Sequence, residues 1–446
     1  MDDRLSKVRR PWTAVYPIII VLPVAGKAQL LSHLYSDYTE PIRDPLWRHI
    51  YLSREFESIL ATPPFQKLTR IRQLGPAFQV YPGATHTRFN HSLGVFHLSK
   101  RILAAILQFE SAIDLSLEEV KAFLSAALLH DLGHFPYSHS LKELPLKDHE
   151  VLTGDLVVEE PLRGIIRDVV GSDPELVAAI VDTKRSFRNG ASNLHFFRNI
   201  LSGVLDPDKL DYLNRDAYFC GVPYGIQDID FVVNKIRPHS TSGIAIDESG
   251  ITAIEHVLFS KYLMYRTVYW HKTVRVATAM IKKAVYLTLK EGLLRPEDLY
   301  HLDDIEFYGL FDGLAFPPAS LIRRVFDRRY HKIVFEAPFD DTNERHTWLL
   351  DLENRMQKEG EVAAELRRRS GSYFAGEAVI IDIPEFQSFE IGLPISSRDG
   401  FRPFAETDSV FGKQVVSGFN RALRKIRLLV AEELASKVNG IEELLE

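Results

Sequence analysis

LLHDLGHFPYSH, Leu128 to His139, brings three histidines and an aspartate to the end of a strongly apolar run, AFLSAALL. Ser116, with Glu119 three residues on, makes a capping-box pattern. LEEVKAFLSAALL then carries apolar residues at helical spacing, so a helix is expected to end at the histidines. Neighbouring helical side chains diverge by about 100°. Adjacent His130 and Asp131 therefore rarely serve one structural contact, whereas a cation at the helix end can take one atom from each. Taken alone, such a pair is most often a cap or a surface hydrogen bond. Two further residues complete a candidate mixed N/O set: His91, opening a helix in RFNHSLG, and Asp208 in LDPDKLDY, where Pro207 starts a helix. Two imidazoles and two carboxylates suit a divalent Mn, Fe, Mg, Zn or Ni ion and leave positions open for water and phosphate oxygen.

The 446-residue chain around this centre is 46% hydrophobic and 26% charged, with net charge −6. That composition is globular, with length enough for a large core and a smaller domain. Mild acidity argues against a protein that coats nucleic acid, yet a few placed Arg and Lys residues can still form a pocket for a small polyanion. One cysteine, Cys220, excludes an intrachain disulfide and a Cys-rich zinc site. It fits a reducing compartment, so a cytoplasmic location is expected. No stretch is long enough to span a membrane. YPIIIVLPVAG, Tyr16 to Gly26, follows the basic KVRR, but Pro17 and Pro23 bracket it and the cleavage pattern is poor. It is read as part of an N-terminal extension.

Helical periodicity dominates from LSREFESILAT through AIEHVLFSKYLMYRTVYWHKTVRVATAMIKKAVYLTLKEG. Within it, HSLGVFHLSKRILAAILQF has Thr87 or Asn90 available as N-cap. IRDPLWRHIYLS, Ile42 to Ser53, reads as a turn with a short extended segment. From about Arg295 the texture changes. DRRYHKIVFEA and GEAVIIDIPEFQSFEIGLPI carry β-branched alternation with Gly and Pro punctuation, and SGFNRALRKIRLLVAEELASKV reads as a closing amphipathic helix. The expected fold is mainly α, with a helical core over 42–295, a smaller α+β C-terminal region over 296–446 and an extension over 1–41.

H…HD…D in this order, set in RFNHS, HDLGHFPYSH and DPDKLDYLNRD, resembles the HD phosphohydrolase superfamily. Linked stretches from IRDPLWRHIYLS through FQKLTRIRQLGPAFQVYPGATHTRFNHSLGVFHL, DHE, DPDKLDYLNRDAYFCGVPYG and KYLMYRTVYWHK are similar to one branch, the deoxynucleoside triphosphate triphosphohydrolases. The resemblance covers roughly residues 42 to 280. It implies that residues 42–295 form an HD domain in which His91, His130, Asp131 and Asp208 hold the metal ion. It implies that His139 protonates the leaving sugar oxygen, with His134 and His149 around the phosphates and water. Arg88, Lys209 and Lys261 would contact phosphates. Gln73, Tyr212 and Asp216 would surround the deoxyribose, Gln73 and Asp216 at its 3′-hydroxyl, and Tyr269 would leave no room for a 2′-hydroxyl. Arg266, in the same aromatic stretch, is a further substrate-binding candidate. The implied reaction is hydrolysis of a dNTP at the α-phosphate, by a dimer or tetramer, with no membrane partner and no nucleic acid indicated. The alternatives are another nucleotide substrate (a monophosphate, a cyclic nucleotide or a guanosine polyphosphate) and a non-catalytic module that binds nucleotide or nucleic acid.

Three positions depart from the family pattern. Lys142 stands where an acid three residues after His139 would orient it, with Glu143 beside it. Ala61 and Thr69 stand where a guanine-reading activator site has Asp and Arg, although Gln66 is retained. The segment between His139 and His149 is short. His86 and His97 are read as hydrogen-bonded structural residues, and ELRRRSGS as a solvated helix end.

Overall fold

Ser116 accepts a hydrogen bond from the Glu119 backbone N–H while the Glu119 carboxylate accepts from the Ser116 N–H, and the helix so capped runs Leu117–Leu129. In the computed structural model the described residues are 25–109, 113–187, 193–371, 373–389, 391–438 and 440. Residues 16–24 of the YPIIIVLPVAG segment lie outside them. The main helical core consists of α1 (Arg88–Leu107), α2 (Leu117–Leu129), α3 (His149–Val157), α4 (Pro174–Val181), α5 (Leu194–Leu201) and α6 (Pro207–Cys220). Helix α1 packs against both α2 and α6, and α4 lies against α2, α3 and α5. Phe96, Ile102, Phe123, Leu128, Leu210 and Leu213 are fully buried between them. An antiparallel hairpin, β1 (Glu40–Asp44) and β2 (Arg48–Leu52), precedes this core and packs on α1.

The fold is mainly helical with small sheets, as expected. The long run from Ala253 to Gly292 is two helices, α7 (Ile251–Met264) and α8 (Lys272–Lys290), because the chain widens at Tyr265–Tyr269 and the His271 side chain accepts from the Thr273 N–H to start α8 afresh. Next come α9 (Asp304–Asp312), α10 (Ser320–Phe326), α11 (Leu352–Ser370) and α12 (Lys413–Leu423). Strands β3 (Ile236–His239) and β4 (Gly243–Asp247) are joined by β7 (Pro394–Ser397) and β8 (Gly400–Pro403) in one sheet, order β3-β4-β7-β8. A second sheet sets β9 (Lys425–Val430) between β5 (Lys332–Pro338) and β6 (Val379–Asp382), antiparallel to both.

The expected closing helix is therefore corrected: its first third belongs to α12, KIRLLV is the central strand β9, and Glu432–Lys437 forms a short 3-10 turn. Both faces of that strand are covered. Ile426, Leu428 and Val430 enter the core beneath α11, while Leu429 turns the other way into the core of α8, α9 and α10. A helix would expose part of such a consecutive apolar run, whereas a central strand buries it all by alternation. Leu428→Ala is expected to cost about 2–5 kcal/mol in denaturant unfolding, and Arg421→Ala on exposed α12 to stay within about 0.5 kcal/mol. Equal small effects would contradict the strand.

Candidate active site

Three helix ends meet at the site. His91 lies in the first turn of α1, which Thr87 and Asn90 cap reciprocally. His130 and Asp131 follow the last residue of α2, and Asp208 sits in the first turn of α6, capped by Asp206. The buried His91 Nε2 is 2.9 Å from Asp208 Oδ1 and 3.9 Å from Asp131 Oδ2. His130 Nε2 is 3.3 Å from Asp131 Oδ1 and 4.0 Å from Asp208 Oδ1. The four residues proposed as ligands are thus brought together.

The donor set fits a divalent cation. His130 Nδ1 lies 3.0 Å from the Ala127 carbonyl oxygen, which can only accept, so Nε2 is the lone-pair nitrogen; it is buried with no hydrogen-bond partner among the described residues. Likewise His91 Nδ1 donates to Asp211 Oδ2 at 2.8 Å and turns Nε2 toward the carboxylates. Donor atoms of His91, His130 and Asp208 lie within 4.8 Å of one another. Burial opposes a charged His91, yet hydrogen bonds to Asp208 and Asp211 raise it to about 10. The carboxylates therefore demand positive charge in this spot.

Behind His91 lies a fully buried chain of charges that the sequence reading missed. Asp211 accepts from Trp47 Nε1 at 2.6 Å and from Arg215 Nε and Nη2 at 2.8 and 2.9 Å, and Arg215 Nη1 reaches Asp44 at 2.8 Å. Burial would raise the Asp211 carboxyl, but Arg215 and His91 hold it well below the usual range. Gly94 makes room for this carboxylate, because a Cβ there would fall 1.8 Å from Asp211 Oδ1. Asp208, Asp211 and Arg215 share one helical face at i, i+3 and i+7, a signal available in DPDKLDYLNRD. His97, read as structural, stacks on Trp47 at 5.8 Å, and burial lowers its pKa to about 4.

Asp131 also faces a second group. Its Oδ1 is 3.1 Å from His134 Nε2, and its Oδ2 accepts from Arg88 Nη1 at 2.7 Å. Burial would raise this carboxyl, but His134, His130 and Arg88 hold it well below the usual range. The His134 ring stacks on His149 at 3.7 Å and lies 4.6 Å from His139. Burial, then the Arg88 charge, pushes His134 and His139 well below the ordinary imidazole value, and burial lowers His149 to about 4. Glu143 does not take the place of the missing acid beside His139: Lys282 Nζ holds its carboxylate at 2.6 Å and Arg355 at 3.0 and 3.2 Å. Burial would raise Glu143, but these cations lower it to about 2 from 4.5. Its contribution to stability is therefore fully present above pH 4.5 and lost as the pH falls through 2.

A third group gathers at Asp216, whose Oδ1 is 2.8 Å from His86 Nε2 and whose Oδ2 accepts from Tyr269 OH at 2.7 Å. Tyr212 meets Tyr269 edge-on at 6.3 Å. The Gln73 N–H donates to the His86 carbonyl, while Gln73 Oε1 is buried without a partner among the described residues. The basic candidates are engaged elsewhere: Lys209 with Asp206 and the Gly203 carbonyl, both at 2.7 Å, and Lys261 with the Ser388 carbonyl at 2.6 Å. Arg266 is exposed and donates to Tyr262 OH at 2.6 Å. Gln66 and Thr69 make local bonds to the Leu60 and Gln66 carbonyls. In ELRRRSGS, Glu365 pairs with Arg368 and Arg369 at the end of α11.

Residues 88–216 match the HD domain, and residues 228–427 match the HD-associated region. The chain is an HD-domain protein. All four candidate ligands fall inside the HD match. The HD-domain protein is 33% identical over 274 residues to the uncharacterized protein YwfO of Bacillus subtilis, covering 61% of this chain and 60% of that one. It is 28% identical over 285 residues to human deoxynucleoside triphosphate triphosphohydrolase SAMHD1, covering 57% of this chain and 46% of that one. It thus spans less than two thirds of each of these relatives. A crystal structure of a hypothetical protein from Aquifex aeolicus aligns with TM-score 0.69 and 27% identity, covering 91% of this chain and 99% of that chain. Among the described residues, no helix is long and apolar enough to cross a membrane.

Asp211→Asn, which removes the anion that orients His91, is expected to weaken divalent-metal binding about 10–100-fold. Metal titration by calorimetry checks it, with the circular dichroism spectrum unchanged. Undiminished affinity would disprove the orienting role.

Proposed function

We propose that this HD-domain protein is a metal-dependent phosphohydrolase that cleaves deoxynucleoside triphosphates at the α-phosphate to deoxynucleoside and inorganic triphosphate. The observation that carries this reading is Asp131, one buried carboxylate shared between a His/Asp cation cage and a cluster of three imidazoles. Relationship to SAMHD1 supports the substrate class. A homo-oligomer in the cytoplasm belongs to the same proposal.

His91, His130, Asp131 and Asp208 would hold the divalent ion, which when bound polarises the phosphate and makes water a better nucleophile. Arg88 keeps one nitrogen on Asp131, and its Nε, buried without a partner among the described residues, is free to meet a phosphate oxygen. Lys209, Lys261 and Arg266, held here by Asp206, the Ser388 carbonyl and Tyr262, would turn from those partners to serve the phosphate chain. A triphosphate placed beside Arg88 would offset the part of the His139 depression that the Arg88 charge adds to burial, which favours a proton on His139 as substrate binds. His139 then gives that proton to the 5′-oxygen as the bond to phosphorus breaks, a leaving group that is poor as a bare alkoxide. His134 and His149 line the phosphates and the water. At the sugar end, the 3′-hydroxyl has one hydrogen to donate, and the unpartnered Gln73 Oε1 is the acceptor for it, with the Asp216 carboxylate the alternative. A buried acceptor left unpaired discriminates against an analogue without that hydroxyl. Tyr269, fixed by Asp216 and backed by Tyr212, closes the space a 2′-hydroxyl would need.

Incubation of the metal-loaded protein with each dNTP, followed by chromatography, is expected to yield deoxynucleoside and triphosphate. Asp131→Ala should abolish turnover, and His139→Gln should lower kcat roughly 10²–10⁴-fold with metal content retained. Orthophosphate as the sole inorganic product would exclude attack at the α-phosphate. Equal rates for wild type and Asp131→Ala would exclude the enzymatic reading.

A further inference from the structure

The segment that carries His139 does not rest on the core that carries the metal ligands. His91 and Asp208, with the residues leading into His130, belong to α1, α2 and α6, packed around the main core. Phe135, Leu141 and Leu144, which surround His139 in the chain, belong instead to a separate apolar cluster. Its other members include Met280 and Ile281 of α8, Phe307 and Phe311 of α9, and Val325 of α10. Those helices lie in the part matched as the HD-associated region.

Polar ties reinforce the division. Tyr137 OH and Tyr308 OH are 2.5 Å apart, and the Lys147 N–H donates to Tyr300 OH at 2.8 Å. Glu143 is gripped by Lys282 of α8 and by both terminal nitrogens of Arg355 on α11. Arg355 is itself buried and fixed from behind, its Nε donating to the Leu349 carbonyl at 3.0 Å. Tyr137 has φ 62°, the left-handed region that an L-residue with a ring adopts only when its surroundings enforce it. What surrounds it is α9: the Phe307 ring at 5.3 Å and the Tyr308 hydroxyl.

His139 lies between these anchors, two residues after Tyr137 and four before Glu143. Among the described residues its ring has His134 and His149 as ring neighbours and no carboxylate on its side chain, Lys142 standing where one was expected. Its orientation therefore depends on where the 135–147 segment is held, and that segment is held from the HD-associated region.

We propose that Tyr308 and Arg355 are positioning residues of the HD-associated region, which aim His139 and its neighbours by clamping the segment between Tyr137 and Glu143 while the metal cage stands independently on the HD core. This rests on the reading of His139 as the general acid. The clamp takes over the task of the missing local acid: a bidentate Arg–carboxylate pair fixes direction as well as distance, and a misplacement of about 1 Å at a catalytic group costs on the order of 10²-fold in rate.

The test compares full-length wild type with Tyr308→Phe, Arg355→Ala and Arg355→Lys. The readouts are metal content, kcat and KM for a dNTP, and hydrogen–deuterium exchange resolved by segment. Arg355→Ala is expected to lose roughly 10²-fold in kcat, with KM and metal content within about twofold. Tyr308→Phe, which deletes one hydroxyl and keeps the ring, should show a smaller loss of the same kind, and Arg355→Lys should recover part of the deficit. Exchange should rise in residues 135–147 and stay unchanged in residues 88–107 and 207–220. Unchanged kcat in folded Arg355→Ala and Tyr308→Phe overturns the proposal. So does a loss of kcat that only follows loss of metal or exchange rising across the whole chain. If the wild type hydrolyses no dNTP, the substrate reading fails by itself and the exchange pattern decides the clamp: a rise confined to 135–147 supports it, and none refutes it.

Discussion

Asp131 is a buried carboxylate whose two oxygens face Arg88 at 2.7 Å, His134 at 3.1 Å, His130 at 3.3 Å and His91 at 3.9 Å. Such a charge out of water is sustained only when compensated on every side, and that constraint organises the rest of the centre. Burial opposes ionisation, yet the carboxyl is held well below its usual range by the histidines and Arg88. One side of it faces the candidate cation cage and the other faces His134 of the imidazole cluster.

The compensation extends inward. His91 is aimed by Asp211, Asp211 is neutralised by Arg215, and Arg215 is completed by Asp44 from the β1–β2 hairpin. A buried charge chain of this kind is a poor source of net stability, but it holds an imidazole in one orientation and one tautomer. Gly94 belongs to it as much as the charged residues do, since any side chain there would strike Asp211. The hairpin, which holds no candidate ligand, is tied to the metal centre through Asp44.

The outer half of the site has a different foundation. The His134–His149 segment closes over Asp131 from the side of α8 to α11, and its apolar residues are core members of that second unit. The candidate metal ligands and the segment that carries His139 thus rest on two packed clusters that meet near one carboxylate. Glu143, which by position looked like a stand-in for an orienting acid, is spent on Lys282 and Arg355. Lys142 leaves the orientation of His139 to packing.

The helical class, the capping box of α2 and the ligand candidates His91, His130, Asp131 and Asp208 are legible in the sequence, which leaves Thr87 and Asn90 open as the cap of α1. Their signals are local: side-chain periodicity, a capping box, and His and Asp residues combined in one chain order within linked motifs. The Asp208, Asp211 and Arg215 spacing was equally local and could have been read from α6. Tertiary structure alone decided that KIRLLV is a strand, because its two faces are buried by elements distant in the chain. It alone decided that Glu143 pairs with Arg355, that Tyr137 is clamped by Tyr308 and that Asp216 is shared by His86 and Tyr269. Those partners lie 212, 171, 130 and 53 residues apart, and no periodicity or spacing encodes a contact over such a distance. Only closing the two bodies around Asp131 brings them together.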